Sequence, residues 1–366
     1  RTEAAAQMKS GRGIVGMWTT LVLTVVLAQI VTGCGRTGAI YSGHFQAFGG
    51  QVDITIVDVP RHEAADAIAA LAQDFAYLEE NWLTPTGDPL ARTNDLLATG
   101  EAFSAPPSLL PLLETAKRLA ASSGGLMNPA LGRLLDLWGF YSASVERFRP
   151  PSASQIAGIV ARGPAVDSII VDDIRVRGTN PAVALDFDGF LKGYAIDHAI
   201  TLLREKGIEN ARVNVGGDIR AIGSRASHPW NVALRRPDGT GVLATLDVAG
   251  DESVVTVGAY ERYLTWQGEK YHHILDPRTG WPADGAHSVT VIHPSATTAH
   301  AAATALFVAG PDAWPEVASR MGVNQVMLVD TTGAMHMTPG LETRLQFLAK
   351  KPPLRITDLP PRKDPA

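Results

Sequence analysis

Apolar and polar residues alternate from Val52 through Asp53, Ile54 and Thr55 to Ile56, the period-two pattern of a strand with one buried face. The period then changes. Ile68, Leu71, Phe75, Leu78 and Trp82 recur three or four positions apart, which puts them on one stripe of an amphipathic helix. Leu109, Leu112, Leu113, Ala116 and Leu119 repeat that spacing behind a Pro106-Pro107 start. Phe190 to Lys206 predicts a third helix, stopped by Gly207, and Thr298 to Val308 a fourth. A short strand is expected at Ser168–Val171 within a turn-rich stretch, and a late one from Asn324 to Asp330. Ala211 to Ile292 reads mostly as strands and turns. Helices and strands mix without a regular βαβ rhythm, so the expected fold class is α+β. No repeat and no Pro/Gly/Ser linker divides the chain, which points to a single composite domain of mixed sheets and packed helices.

The two ends differ from this body. Lys9 and Arg12 precede a stretch from Gly13 to Gly35 without a charge, and Val31-Thr32-Gly33-Cys34 closes it. A positive start, an apolar centre and small residues before a cut site describe an export signal. Val-Thr-Gly-Cys resembles a bacterial lipobox, whose cysteine carries lipid; the competing reading is an uncleaved anchor of 18 residues, Ile14 to Val31. The expected boundaries are a lipoprotein-type signal over 1–33, a tether over 34–44, the folded domain over 45–347 and a Pro-rich mobile tail over 348–366. The chain is expected on the periplasmic side, held to a bacterial membrane through lipid on Cys34.

Composition narrows the function classes. Of 366 residues 45% are hydrophobic and 19% charged, a globular mixture rather than a disordered one. A net charge of −5 supplies no basic face for nucleic acid. Cys34 is the only cysteine, so an intramolecular disulfide and a Cys-based zinc cage are both excluded.

Four segments gather chemistry-bearing residues. Asp186-Phe-Asp-Gly-Phe-Leu-Lys-Gly-Tyr-Ala-Ile-Asp197 sets two carboxylates and Gly189 at a helix start, with Lys192 in the first turn. Free backbone N–H groups there favour an anion, although an N-capping Asp188 with a surface lysine explains the residues equally. Val213-Asn-Val-Gly-Gly-Asp-Ile-Arg220 runs a strand into a Gly pair that allows close backbone approach or a plain tight turn. His272-His-Ile-Leu-Asp-Pro-Arg-Thr-Gly280 is a turn signal in which His273 is a candidate base or a structural histidine. Ala299-His-Ala-Ala-Ala-Thr304 puts His300 and Thr304 on one helix face, either for a ligand or for close packing.

In this order, together with Met127-Asn-Pro-Ala-Leu-Gly-Arg-Leu-Leu-Asp-Leu-Trp-Gly-Phe140 and Thr256-Val-Gly-Ala-Tyr-Glu-Arg262, the segments resemble the FAD:protein FMN transferases, the ApbE-like family, over about Phe45 to Gln346. The resemblance implies an enzyme that cleaves the FAD pyrophosphate. It would join FMN through a phosphoester to a Thr or Ser of an exported flavoprotein, with Mg²⁺ or alternatively Mn²⁺, from a flavin site between subdomains. By position it implies FAD contacts at Phe48, Thr84, Leu126, Met127, Asn128, Asp186, Lys192 and Leu275. Lys192 would offset phosphate charge, and His273 would be the base.

The metal ligands depart from the family pattern. The resemblance implies a backbone carbonyl at Gly189 and a hydroxyl at Thr304, but His300 stands where an Asp is usual and Ala303 precedes Thr304. Imidazole is a poor substitute for a carboxylate toward Mg²⁺. Asp188, where a Gly or Ser is usual, is the candidate compensating carboxylate. Leu191 and Val257 also depart from the pattern. Beside the transferase stand two other readings, a catalytically silent flavin-binding lipoprotein and an FAD pyrophosphatase.

Overall fold

The computed structural model describes residues 39–83, 88–141, 148–237, 241–248, 250–348, 351 and 353–362. The N-terminal apolar stretch with Cys34, and the expected flavin contact Thr84, lie outside the described residues. Among the described residues no helix is long and apolar enough to cross a membrane.

Nine strands form one large sheet whose order follows the chain. They are β1 (Ile40–Ala47), β2 (Gly50–Val57), β3 (Ala211–Val215), β4 (Asp218–Ile222), β5 (Glu252–Gly258), β6 (Ala286–His293), β7 (Gln325–Asp330), β8 (Met335–Met337) and β9 (Leu354–Ile356). Every neighbouring pair is antiparallel except β8–β9. Both faces are covered, and the side-chain alternation shows how. Val255, Val291 and Val326 join the main core on one face, while Val254, Ile292 and Met327, each an immediate neighbour, join a second core on the other.

The helices are α1 (Arg61–Leu78), α2 (Asp88–Thr99), α3 (Leu109–Ser123), α4 (Gly132–Leu137), α5 (Ala153–Val160), α6 (Asp188–Glu205), α7 (Ala296–Met321) and α8 (Pro339–Glu342). Apolar residues of α1, α3, α6 and α7 fill the main core. The second core lies between the sheet and a three-stranded sheet of Trp230–Arg235, Val242–Val248 and Gln346–Phe347. A third, smaller cluster gathers Leu131, Leu134, Trp138, Phe140, Ile156, Leu264 and Leu275. The mixed α+β architecture agrees with the sequence pattern.

The differences have physical causes. The first expected helix begins earlier, at Arg61, because buried Ala64 and Ala67 extend its apolar stripe. Its end becomes a π-helical turn, Glu79–Leu83, that buries Trp82. The fourth expected helix does not stop at Val308. It breaks at Gly310, whose φ of 73° and ψ of −179° admit the turn into Pro311, and resumes to Met321. The Pro-rich segment expected to be mobile instead contributes β9, which pairs in parallel with β8 and rests Leu354 on the second core.

Candidate functional site

A cleft is lined by three of the four segments singled out in the sequence, with the loop after α3 as its opposite wall. That loop, Leu126 to Leu131, runs beside the approach to α6. Asp186 N–H donates to the Pro129 carbonyl (2.9 Å) and Gly132 N–H to that of Ala184 (2.8 Å). Asn94 clamps Leu185 from both sides, accepting from its N–H (2.6 Å) and donating to its carbonyl (3.0 Å). The backbone entering α6 is therefore fixed before any ligand arrives.

Helices α6 and α7 meet backbone to backbone. A Cβ on Gly193 would sit 2.7 Å from the Ala296 carbonyl carbon and closer still to its oxygen. One turn further along α6, Asp197 accepts from Ser295 Oγ (2.7 Å), Ala296 N (2.7 Å), Thr297 N (3.0 Å) and Thr297 Oγ1 (2.6 Å). It thereby satisfies donors left free at the start of α7, and Arg220 Nη1 reaches its Oδ1 at 2.5 Å. This junction sets the register of α7 against α6 and brings Thr304 Oγ1 to 3.5 Å from the Gly189 carbonyl.

The ionisable groups form a pair and a trio. Lys192 Nζ lies 3.4 Å from Asp218 Oδ2, and Asp218 Oδ1 accepts from Thr256 N–H (3.2 Å). The Asp218 carboxylate holds the lysine ammonium above its usual range, against the opposing effect of burial. One turn back along α6, Asp188 Oδ2 lies 3.4 Å from Arg262 Nη1 and 3.7 Å from His273 Nε2. Burial pushes the Asp188 carboxyl up, but His273, Arg262 and Lys192 together bring it below the usual carboxylate range. Asp186 goes the other way. Burial first and Asp188 second raise it to about 6, although it accepts from Tyr141 Oη (2.6 Å) and Asp188 N–H (3.0 Å).

His273 has a defined tautomer. Its Nδ1 lies 3.1 Å from the Arg262 carbonyl oxygen, which can only accept, so Nδ1 carries the proton and neutral Nε2 the lone pair. Burial lowers its pKa and keeps the ring neutral, with Asp188 opposing. Arg262 is held in turn by the Phe140 carbonyl and by the Phe140 ring, 5.7 Å from its guanidinium carbon. A neutral imidazole and a fixed ammonium in one cleft can accept a proton and bind a phosphorylated ligand.

The ApbE family model matches residues 48–328. The chain belongs to the ApbE family. A protein of Rhodobacter capsulatus named FAD:protein FMN transferase is 35% identical over 322 residues, spanning 86% of this chain but 61% of that protein. One of the same name from Treponema pallidum is 36% identical over 279 residues, 68% of this chain and 74% of its own. The solved structure of the ApbE protein of Thermotoga maritima superposes with a TM-score of 0.76 at 31% identity, covering 84% of this chain and 99% of that one.

Within this ApbE family member the expected site residues divide. Leu126, Met127, Asn128, Asp186, Asp188, Gly189, Lys192, His273, Leu275, His300 and Thr304 all line the cleft. Phe48 does not. It sits in the β1–β2 turn with φ of 54° and packs edge-on against Phe75, ring centres 5.6 Å apart. The Asn128 side chain ties its loop to the segment after α5, donating to Pro164 O (2.8 Å), and accepts from Ala130 N–H (3.0 Å). Asp188, the expected compensating carboxylate, is directed to Arg262 and His273. Among the described residues no three His, Cys, Asp or Glu side chains converge as a metal site. The donors that do fit an ion are the Gly189 carbonyl, the Thr304 hydroxyl and His300, whose buried Nδ1 has no hydrogen-bond partner among the described residues. Tyr141, Asp218 and Arg262 carry no mark in the sequence that singles them out as site residues by type alone. Asp218 had a positional signal, since it follows the Gly216-Gly217 pair at the start of β4.

Proposed function

We propose that this chain is an FAD:protein FMN transferase acting on a Ser or Thr hydroxyl of an acceptor flavoprotein. The observation that carries the reading is His273, neutral and tautomerically fixed, in the same cleft as Lys192. The names borne by the relatives supply the substrate class. In the reaction the acceptor oxygen bonds to the FMN-side phosphorus while the pyrophosphate P–O bond breaks, and AMP leaves with the electron pair. The hydroxyl proton passes to His273 Nε2. Lys192 offsets the pyrophosphate charge, and Asp218 keeps that lysine charged and aimed. Arg262 is a positioning residue, because its carbonyl orients His273 and its guanidinium holds Asp188. Met127 and Leu275 give the flavin an apolar wall. A divalent ion held by Thr304, the Gly189 carbonyl and His300 would further neutralise phosphate charge when bound.

The reading extends to place. Cys34 and the apolar stretch before it support export and lipid attachment, so the acceptor is an exported flavoprotein on the periplasmic side. Labelling with a radioactive fatty acid checks this, and Cys34→Ala should abolish the label.

The decisive assay combines purified chain, FAD, Mg²⁺ or Mn²⁺ and an acceptor bearing a Ser/Thr flavinylation motif. Covalent flavin fluorescence in a denaturing gel, with one AMP released per acceptor labelled, is the expected result. AMP without labelling would replace transfer by hydrolysis, and bound FAD with neither product would reduce the chain to a flavin-binding protein.

A further inference from the structure

His300 is 7% exposed and lines the cleft, yet its buried Nδ1 has no hydrogen-bond partner among the described residues. A buried polar atom left alone is unfavourable unless something fills the role. One helical turn away, Thr304 Oγ1 stands 3.5 Å from the Gly189 carbonyl, so an imidazole, a hydroxyl and a carbonyl share one corner of the cleft. None of the three is an anion. Asp188, the carboxylate beside Gly189 in sequence, is turned toward Arg262 and His273. Hard Mg²⁺ selects anionic and water oxygens at strict octahedral geometry, whereas a nitrogen donor favours the borderline first-row ions.

We propose that this corner is a nitrogen-bearing metal centre, with His300 as a direct ligand, selective for borderline divalent ions such as Mn²⁺ and Co²⁺ over Mg²⁺. Its neutral protein donors leave the anionic ligands to the pyrophosphate of the nucleotide, so ion and nucleotide bind cooperatively. This rests on the FAD-binding reading above, and FAD retention is measured separately by ultrafiltration.

The probes are Mn²⁺, Co²⁺ and Mg²⁺, each titrated into the full chain with and without FAD. Electron spin-echo modulation of the Mn²⁺ complex is expected to show an imidazole ¹⁴N coupling, replaced by a ¹⁵N coupling when the chain is grown with [¹⁵N]histidine. This needs no variant. His300→Asp should remove the coupling and lower the ratio of Mg²⁺ to Co²⁺ dissociation constants at least tenfold, and His300→Gln should remove the coupling without tightening Mg²⁺. FAD should strengthen Mn²⁺ binding at least tenfold in the parent chain. Retained FAD with no histidine coupling, or a metal ratio unmoved by His300→Asp, overturns the metal proposal and leaves the transferase reading standing. Failure to retain FAD with or without metal overturns both.

Discussion

Replacing Asp197 tests whether the α6–α7 junction governs the cleft. Asp197 lies outside the cleft lining, yet it takes two backbone and two hydroxyl donors from the start of α7 and one Arg220 nitrogen. A lost helix cap costs about 1 kcal/mol, and breaking a buried ion pair costs about 3–5 kcal/mol when the partner is stranded. Arg220 is not stranded, because Asp251 still reaches its Nη2 at 2.9 Å, so the expected loss for Asp197→Ala is about 3 kcal/mol rather than the sum. Asp197→Asn is the sharper probe. Both carboxylate oxygens accept, so an amide nitrogen at either position must face at least two donors, and the isosteric change should cost nearly as much as Ala. Urea unfolding followed by fluorescence of the buried Trp82, Trp138, Trp230 and Trp314 measures both. FAD affinity should fall in parallel, since α7 carries His300 and Thr304. An Asn variant within about 1 kcal/mol of the parent would refute the assignment of Asp197 as an all-acceptor anchor.

Three further outcomes follow from the same contacts. Gly193→Ala forces a methyl into the Ala296 carbonyl, so an overpacking loss of about 1–3 kcal/mol with weakened FAD binding is expected by denaturant titration and equilibrium dialysis; unchanged values would show that the helices part freely. His273→Gln should lower the transfer rate on the order of 10²- to 10⁴-fold with FAD affinity retained, whereas Lys192→Met should mainly weaken FAD binding; an exchange of these two effects in stopped-flow and dialysis would reverse the assigned roles. His272 is lowered to about 4, chiefly by burial, with the Ala283 carbonyl bond opposing. A depressed folded pKa means that the unfolded chain takes up the proton first, so this stability is complete above about pH 6.5 and drains as pH falls toward 4. For a half-buried ring the term is about 2 kcal/mol, read as the difference in unfolding free energy between parent and His272→Gln at pH 7.5 and pH 4.5. Parallel curves would rule it out.

Elements that bury one clean face are legible in the order of amino acids alone. The alternation at Val52, Ile54 and Ile56 is β2, and the leucine stripe from Leu109 is α3, because burial on one face leaves a periodic trace. Elements whose existence depends on a partner leave little trace. Strand β9 is three residues long and forms because β8 offers an open edge. Helix α5 is readable in principle, since Ser152 and Gln155 make a capping box, though its neighbours read as turns. The site shows the same division. The segments around Asp186, His273 and His300 announce themselves by residue type, and they do meet in one cleft. Their pairing is not legible. Lys192 finds Asp218 where α6 lies beside the sheet, and His273 finds the Arg262 carbonyl through the antiparallel pairing of Tyr263–Trp266 with Glu269–His272.

Asp188 and His300 must be read together. On the sequence, a carboxylate beside Gly189 is the natural substitute for a missing acidic ligand on α7. In the fold that carboxylate is already engaged, bridging Arg262 at 3.4 Å and His273 at 3.7 Å. Turning it toward an ion beside Gly189 would leave the Arg262 guanidinium short of its counter-charge and remove the anion beside the His273 ring. Both groups are partly buried, where an uncompensated charge is most unfavourable. The Asp188 side chain therefore belongs to the proton-handling half of the cleft, while Gly189, Thr304 and His300 are neutral donors and the Asp218 carboxylate that acts on His300 is engaged by Lys192. A cation held by these three neutral donors takes its anionic ligands from elsewhere, and the pyrophosphate of a dinucleotide supplies them.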